Sequence, residues 1–423
     1  MVMARQHAHS SVLANSSLAA RSKPLGIKGN YLAVALIVVA VLYNTVLAIL
    51  GAQGVPLSYS SVAAVEIVIT FVCLTLSLST RFSNHDVMPL ALLWFIGVLA
   101  LIASISFEQI YVGSIRNFAL IAVFGMLGHR MNIDFIRKAF FIVSATTLVV
   151  LIWEIFSVES YASFFSPAHY YEMTRGIEIS EFDESGLSIG TIAFEGRFSL
   201  GIFSGRRTSS IFLEQVSINS YAIVCMVFLN GMWGKLSLKE KALQLVTIFL
   251  IIASNNARMG ALMCIVMPIG YLVFPWLNRN LILAVPFVII GLIFLLSGYI
   301  QNAMGDDITG RLGVTYRLLN RFNLADLFVG NPLKVGRTFD SGYSFIIASI
   351  GLFGGLAYLL FLAYYPRHET KYQRRGSWSL AVYILAWLTV GGTATFSIKT
   401  AALLWSFISC LSKHPETTTE KQA

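Results

Sequence analysis

Long apolar runs separated by short polar stretches alternate along nearly the whole chain. A helix needs roughly 20 apolar residues to cross the ~30 Å hydrocarbon core of a bilayer, and it satisfies its backbone hydrogen bonds internally. The pattern therefore predicts an all-α protein with about twelve membrane-spanning helices. The predicted spans are residues 31–50, 61–79, 88–104, 113–128, 139–157, 211–233, 242–253, 259–276, 281–297, 343–364, 378–393 and 396–411.

Composition points to the same class of protein. Hydrophobic residues make up 56% and charged residues 12% of the 423 residues, and the mean hydropathy is +0.73. Soluble domains usually carry about 25% charged residues. No internal repeat or low-complexity segment marks off a second unit, so residues 31–411 are predicted to form a single polytopic membrane domain.

Basic residues orient the predicted bundle. Residues 1–30 are basic and contain no acid. Their composition resembles that of a transit peptide, but a polar basic tail before a full-length span is more simply a retained cytoplasmic N-terminus. When twelve crossings are counted, three basic loops fall on the same side as this tail. They are residues 129–138, 234–241 and 366–376.

This orientation predicts cytoplasmic tails at 1–30 and 412–423 and two large outer loops at 158–210 and 298–342. Topology then accounts for much of the net charge of +9. Anionic headgroups of the bilayer are a sufficient partner for these basic residues, and nucleic acid is not needed to explain them. We therefore expect a multi-pass protein of a bacterial inner membrane with both termini in the cytoplasm.

Seven ionisable residues lie within or at the rim of predicted spans. On this topology all of them lie toward the outer ends of their helices, where they predict a polar chamber at the outer leaflet. Some have a purely structural alternative, because a long basic side chain can extend to the headgroups and a carboxylate can mark a helix end. The seven are Glu66, Arg116, Glu154, Arg207, Glu214, Arg258 and Lys399.

Two segments carry candidate chemistry. In "RRTSSIFLEQ", the spacing of Arg207, Ile211 and Glu214 places them on one face if a helix runs through them. In "ASNNARMGAL", a polar break separates two spans and Arg258 opens the second of them. Guanidinium groups bind phosphate oxygens in pairs without losing their charge, so Arg207 and Arg258 form a candidate pyrophosphate clamp.

The second outer loop adds further candidates. Arg317 and Arg321 are spaced as neighbours on a helix, which indicates either an amphipathic interfacial helix with a basic edge or a solvated loop helix. Arg337 and Asp340 come immediately before the next span. Asp340 is a candidate general base or, alternatively, the cap of the following helix. The acidic stretch at 177–185 lacks a recognisable metal-ligand spacing and predicts a solvated loop without a metal site.

These segments resemble the Wzy-type polysaccharide polymerases and the related O-antigen ligases. "RRTSSIFLEQ" is similar to the arginine-bearing segment of exopolysaccharide polymerases, and "NNARMGAL" to their later Ser-Arg-Gly segment, with Ala257 in place of serine. The ligases have a His-Asn type pair, then nine residues and Gly-x-x-Gly. This chain has Asp340-Ser341 at the same distance from Gly351 and Gly354. The resemblance covers roughly residues 200–360.

The resemblance implies glycosyl transfer outside the membrane between undecaprenyl-diphosphate-linked saccharides, without a metal or another cofactor. It implies Arg207 and Arg258 on the diphosphate, with Arg206, Arg317 and Arg337 as helpers, and Glu214 or Asp340 as the base. The partners would include the lipid-linked oligosaccharide, a flippase and a chain-length regulator. Because Asp340 replaces the ligase histidine, the resemblance favours a polymerase over a ligase; a flippase or secondary transporter is the alternative from another class.

Overall fold

Helices make up 81% of the part of the chain that the computed structural model describes, which comprises residues 24–109, 112–178, 186–187, 202–203, 206–303, 308–391 and 394–413. No β-strand occurs within these ranges, and the all-α prediction is confirmed. The predicted tails before residue 24 and after residue 413, and residues 179–185 of the acidic stretch, lie outside the described residues.

Most of the α-helices follow one another with short connections, and the longest interval, residues 176–214, separates α7 from α8. They are α1 (Ile27–Ala52), α2 (Tyr59–Leu78), α3 (Asn84–Phe107), α4 (Val112–Arg130), α5 (Ile133–Phe156), α6 (Val158–Phe165), α7 (Pro167–Arg175), α8 (Gln215–Met232), α9 (Leu238–Asn255), α10 (Arg258–Val273), α11 (Leu281–Leu295), α12 (Ser297–Ile300), α13 (Ile308–Leu319), α14 (Leu324–Val329), α15 (Pro332–Val335), α16 (Gly342–Tyr364), α17 (Lys371–Trp387) and α18 (Ile398–Lys413).

Among the described residues, eight helices are long and apolar enough to cross a membrane, namely α1 to α5, α8, α10 and α16. The chain is therefore a helical membrane protein. Helix α11 is apolar but shorter, and α9, α17 and α18 occupy the remaining positions at which the sequence predicts a span. Several predicted ends differ from the structure: α17 covers 371–387 where 378–393 was predicted, because its first turns are polar and hydropathy does not detect them.

The two ends of the bundle are defined by α5, whose 24 residues extend for about 36 Å. At its start, the Asn132 amide donates to Asn30 beside the first turn of α1, and the Arg130 carbonyl accepts from Leu25. We call this the Arg130 end. The last turn of α5 contains Glu154, which contacts the chain just before α8; we call this the Glu214 end.

A buried ion pair anchors the Arg130 end. The guanidinium of Arg130 (α4) donates to both carboxylate oxygens of Asp86 (α3), at 2.7 and 2.8 Å, and both side chains are inaccessible to solvent. Arg130 also donates to the Met126 carbonyl, and Asp86 accepts from the backbone amide of Ser83. Arg130 also donates through Nε to the Thr80 hydroxyl, so both charges have several hydrogen-bond partners, as a buried ion pair requires.

Helix α18 lies in the middle of the bundle and is buried from Ile398 to Ser412. It crosses α4 where Gly128 faces the backbone of Ser406. A Cβ at Gly128 would lie 2.1 Å from the Ser406 carbonyl oxygen, so only glycine permits this approach. Small residues at a helix crossing are typical of membrane bundles, in which close backbone approach supplies the packing energy.

Replacing Gly128 by alanine is therefore expected to lower the stability of the bundle by about 1–3 kcal/mol, because the two backbones must separate. Thermal unfolding of the purified chain in detergent measures the change. Gly97→Ala in α3 is the matched control, since nothing lies within 4 Å of a Cβ at that position. Equal unfolding temperatures for the two variants would show that the α4–α18 crossing does not depend on Gly128.

Candidate functional site

Residues 206–214, here called the arginine segment, precede α8 at the Glu214 end. The predicted helix through Arg207, Ile211 and Glu214 is wrong, because α8 begins at Gln215. The segment is irregular, with a single 3-10 turn at Ser210–Phe212, and both Ser210 (φ 47°) and Leu213 (φ 59°) have left-handed backbone conformations. Such conformations in non-glycine residues are sparsely populated and persist only where the surroundings impose them.

Glu154 of α5 makes one of the contacts that impose this backbone conformation. Its buried carboxylate accepts hydrogen bonds from the backbone amides of Ser209 (3.0 Å) and Ser210 (2.6 Å) and from the Ser209 hydroxyl (3.2 Å). A carboxylate therefore provides the partners that the helix would otherwise have supplied to these amides. Glu154, which the sequence places at the rim of a span, thus holds the backbone of the arginine segment.

Four successive carbonyls of the arginine segment accept hydrogen bonds from four different helices. The donors are Tyr161 of α6 to Ser210 (2.7 Å), Thr45 of α1 to Ile211, Lys399 of α18 to Phe212 (2.9 Å) and Tyr171 of α7 to Leu213 (2.9 Å). Buried backbone groups need such partners, and here side chains supply all four. The backbone of the segment is consequently fixed from several sides of the bundle.

Arg207 connects this segment to the break between α9 and α10. Its Nε donates to the Asn255 carbonyl at 2.7 Å, and Nη2 lies 3.3 Å from the Asn255 side-chain oxygen. Asn255 in turn donates to the carbonyls of Thr208 (2.7 Å) and Gln215 (3.1 Å). Arg258, the first residue of α10, follows Asn255 by three positions. Arg207 is thus held at the α9–α10 break, and Arg258 is the first residue after that break.

Arg258 differs from Arg207 in its contacts. Its side chain is partly buried, and within the described residues it forms no hydrogen bond or ion pair. A guanidinium has five donors in a planar fork, all of which are then available to a ligand. Arg206, the neighbouring predicted helper, is likewise partly buried.

Glu214 caps the site end of α8. Its carboxylate lies 3.3 Å from Nη1 of Arg175 and accepts a hydrogen bond from the Ser217 hydroxyl at 2.8 Å. Burial raises the pKa of Glu214, but the charges of Arg175 and Lys399 and the Ser217 hydrogen bond outweigh it, so the pKa lies below its usual value. Although closely surrounded, the side chain is 34% exposed. Glu214 is therefore a partly exposed carboxylate beside a cation, and its surroundings are here called the recess.

A second ion pair borders this recess. Arg116 of α4 donates through Nε to Glu66 of α2 at 2.7 Å, and the Tyr43 hydroxyl donates to the other carboxylate oxygen. Tyr43 lies two residues before Thr45, which contacts the Ile211 carbonyl, so the pair lies at the Glu214 end. The alternative in which Lys399 extends to the headgroups is wrong, since its ammonium donates to the buried Phe212 carbonyl.

The candidates of the second loop lie apart along the chain but at the same end of the bundle. The rings of Phe339 and Phe345 are 6.0 Å apart, and Phe345 lies 6.1 Å from Phe396, three residues before Lys399. Asp340 is paired with Arg311 at 2.8 Å and is 73% exposed. The alternative that Asp340 caps α16 is wrong: the N-cap is Ser341, whose hydroxyl accepts from the Ser344 amide.

The remaining predicted helpers divide by their contacts. Arg317 donates to the carbonyls of Gln301 (2.7 Å) and Ala303 (3.0 Å), so it holds the start of the loop. The predicted pairing of Arg317 and Arg321 on one helix is wrong, because α13 ends at Leu319. Arg337 is exposed at the loop surface.

Gly351, the first glycine of the Gly-x-x-Gly motif, has a clear structural reason. It adopts φ 65° and interrupts the helical geometry of α16. A Cβ there would lie 2.3 Å from the Phe328 carbonyl oxygen, and Asn331 donates its amide to the Ala348 carbonyl at 2.7 Å. The kink thus seats the α14–α15 turn, with Asp326 buried beside Lys334, against α16.

Sequence reasoning missed the residues that shape the recess, above all Arg175, Tyr161 and Tyr171. They lie on α6 and α7, two short helices inside the predicted outer loop 158–210. Their density of aromatic residues between helix-breaking signals such as Ser166-Pro167 was the available signal. Comparison of the chain with protein-family models, with curated proteins and with solved structures found no match.

Proposed function

We propose that this protein polymerises undecaprenyl-diphosphate-linked oligosaccharide repeat units into a surface or secreted polysaccharide by glycosyl transfer. The observation that supports the proposal is the hydrogen bond from Arg207 to Asn255 at the α9–α10 break, three residues before Arg258, with Asn255 also bonded to Gln215 next to Glu214. In the proposed topology of twelve spans, this end faces outward and both termini lie in the cytoplasm of a bacterium.

The proposal follows from where a lipid diphosphate places its charges. Its phosphates lie at the headgroup level, and the recess lies where several spans end. Arg207 is oriented by Asn255, and Arg258 has donors available for phosphate oxygens. Guanidinium groups that bind the departing diphosphate stabilise the charge that develops as the glycosidic bond breaks. The reaction then requires an acceptor hydroxyl, correctly placed, and a group to take its proton.

Glu214 is the better placed of the two candidate bases. It is ionised and held in position by Arg175 and Ser217, whereas Asp340 is largely solvent-exposed and paired with Arg311. Arg206 and Arg337 remain proposed helpers at the rim of the site, and Arg317 would act through the position of the loop. The sugar acceptor, a flippase and a chain-length regulator are the proposed partners, and no metal or other cofactor takes part in the proposed reaction.

Replacing Glu214 by glutamine is expected to lower the rate of polymer formation by about 100-fold, since the proton acceptor is lost. Asp340→Asn should lower the rate by less than about fivefold, as an exposed ion pair contributes little. The rates of both variants are measured as the amount of polymer formed by membranes supplied with the lipid-linked repeat unit. If the Asp340 variant shows the larger loss, the base is Asp340; if neither variant changes the rate, neither carboxylate is the base.

The function itself is tested by deleting the gene in its host and separating lipid-linked saccharides by size, alongside the cell-surface and secreted polymer. Single repeat units accumulating on the outer face, with no polymer, are the expected result. Full-length polymer retained on the lipid carrier would instead assign a ligase. Repeat units trapped on the cytoplasmic face would assign a flippase and overturn the proposal.

A further inference from the structure

A second polar cavity lies at the Arg130 end of the bundle, away from the candidate site. It has a volume of about 520 Å³ and lies between the α10–α11 and α16–α17 connections. Its ionisable lining consists of Arg279, Arg367, His368, Glu369 and Arg374. Helix α10 separates it from the arginine segment by about 24 Å, because Arg258 opens that 16-residue helix and the cavity follows its end.

The cavity lies at the level expected for lipid headgroups. It follows the last turns of α10 and α16, both of which are long and apolar enough to cross a membrane. Trp276 and Tyr364, two of its lining residues, are exposed at these helix ends. Tryptophan and tyrosine concentrate at membrane interfaces, where an apolar ring and a polar edge are both satisfied. The opening therefore faces the boundary between hydrocarbon and water.

Positive charge in the cavity exceeds negative charge. Three arginines line it, and the one carboxylate among its lining residues is Glu369, 3.7 Å from Arg367. Arg374 donates to the neutral carbonyls of His368 and Pro275, both at 2.9 Å. Arg279 stacks on the Tyr364 ring at 4.8 Å, and within the described residues no carboxylate pairs with it.

The pKa of His368 reflects the same excess of positive charge. Burial, followed by the charges of Arg279 and Arg374, lowers the pKa of His368 to about 4. The imidazole is therefore neutral at pH 7. Its Nε2 is hydrogen-bonded to the Ser377 hydroxyl, so Nδ1 is the ring nitrogen that a ligand could reach. A neutral imidazole among arginines suits an anion that both sets of donors can reach.

We propose that this cavity binds the phosphate group of a phosphate ester, and its position points to the headgroup of an anionic phospholipid. Basic pockets between membrane helices on the cytoplasmic side are suited to such headgroups. The site would fix the connections after α10 and α16, while the reaction proposed above takes place at the opposite end. This inference does not depend on the proposed function.

Native mass spectrometry of the purified full chain tests it, with phosphatidylglycerol and phosphatidylcholine titrated into detergent micelles. We expect phosphatidylglycerol to bind more tightly than phosphatidylcholine, and Arg279→Gln to weaken its binding by about fivefold. Arg367→Gln, at a second exposed position of the lining, should act in the same direction. Arg81→Gln is the matched control, because Arg81 is an exposed arginine of the Arg130 end outside the cavity. Unfolding temperatures verify that each variant is folded.

A parallel titration with inorganic phosphate and glycerol phosphate distinguishes the source of the phosphate. Failure of these soluble anions to displace phosphatidylglycerol supports a lipid ligand. Displacement by millimolar soluble phosphate, lost in the Arg279 variant, supports a phosphate site filled from solution. Equal binding of both lipids and both anions by wild type, the Arg279 and Arg367 variants and the Arg81 control would overturn the inference.

Discussion

Replacing Arg258 by glutamine is expected to lower the rate of polymer formation by about 100- to 1000-fold, the loss typical when a donor to a developing negative charge is removed. The amount of folded protein should be unchanged, since the Arg258 side chain forms no hydrogen bond or ion pair within the described residues. Arg258→Lys should recover only part of the rate, because an ammonium keeps the charge but not the planar fork.

Complementation of the deletion strain, with polymer yield normalised to the amount of protein in the membrane, measures this effect. Arg81→Gln provides the matched control, since it removes one arginine at the opposite end of the bundle. Arg207→Gln is less informative, because it also removes the hydrogen bond to the Asn255 carbonyl and so disturbs the arginine segment. Normal polymer yield from the Arg258 variant would exclude Arg258 from the diphosphate site.

Replacing Asp86 by asparagine is expected to destabilise the protein by about 3–5 kcal/mol, because Arg130 would remain buried with its charge uncompensated. Both side chains of this pair are inaccessible, and Arg130 has no route to solvent. Asp134→Asn is the control: Asp134 is 62% exposed and pairs with Arg137, which keeps its second partner Glu240. An exposed pair of this kind contributes about 0–1 kcal/mol.

Unfolding in detergent, followed by circular dichroism, measures both changes. The double variant Asp86→Leu with Arg130→Met adds a sharper test, since replacing both charges by apolar side chains should restore much of the lost stability. If the single Asp86 variant unfolds together with wild type, the charge of Arg130 must be compensated in another way, and the ion pair does not anchor the Arg130 end.

Hydropathy predicted the positions of the long helices, because a span needs about 20 consecutive, mostly apolar residues to cross the hydrocarbon core. Hydropathy did not find α6 and α7, because these short helices mix polar and aromatic residues and contain no long apolar run. It also extended a helix through residues 211–214. The reason is physical: local spacing favours a helix there, but Glu154 and Lys399 supply stronger partners to the same backbone groups.

The sequence singles out candidate residues for the site but does not predict their geometry. Arg207, Arg258 and Glu214 stood out because charge in an apolar background is expensive. Their arrangement depends on Asn255 and on Tyr171, whose contacts join parts of the chain 40 or more residues apart. A single sequence carries no record of such pairings. Only the structure shows that Arg317 donates to loop carbonyls whereas the donors of Arg258 are available to a ligand.

The hydrogen bond between Lys399 and the Phe212 carbonyl joins residues 187 positions apart. A ribosome that has delivered α8 to the membrane has not yet made α18, so Phe212 then lacks its donor and Glu214 lacks one of its two cations. The arginine segment therefore reaches its final shape only after the last helix of the described chain has inserted. A chain arrested before α18 would leave the Phe212 carbonyl without this donor, so the proposed site would stay incomplete until α18 is inserted.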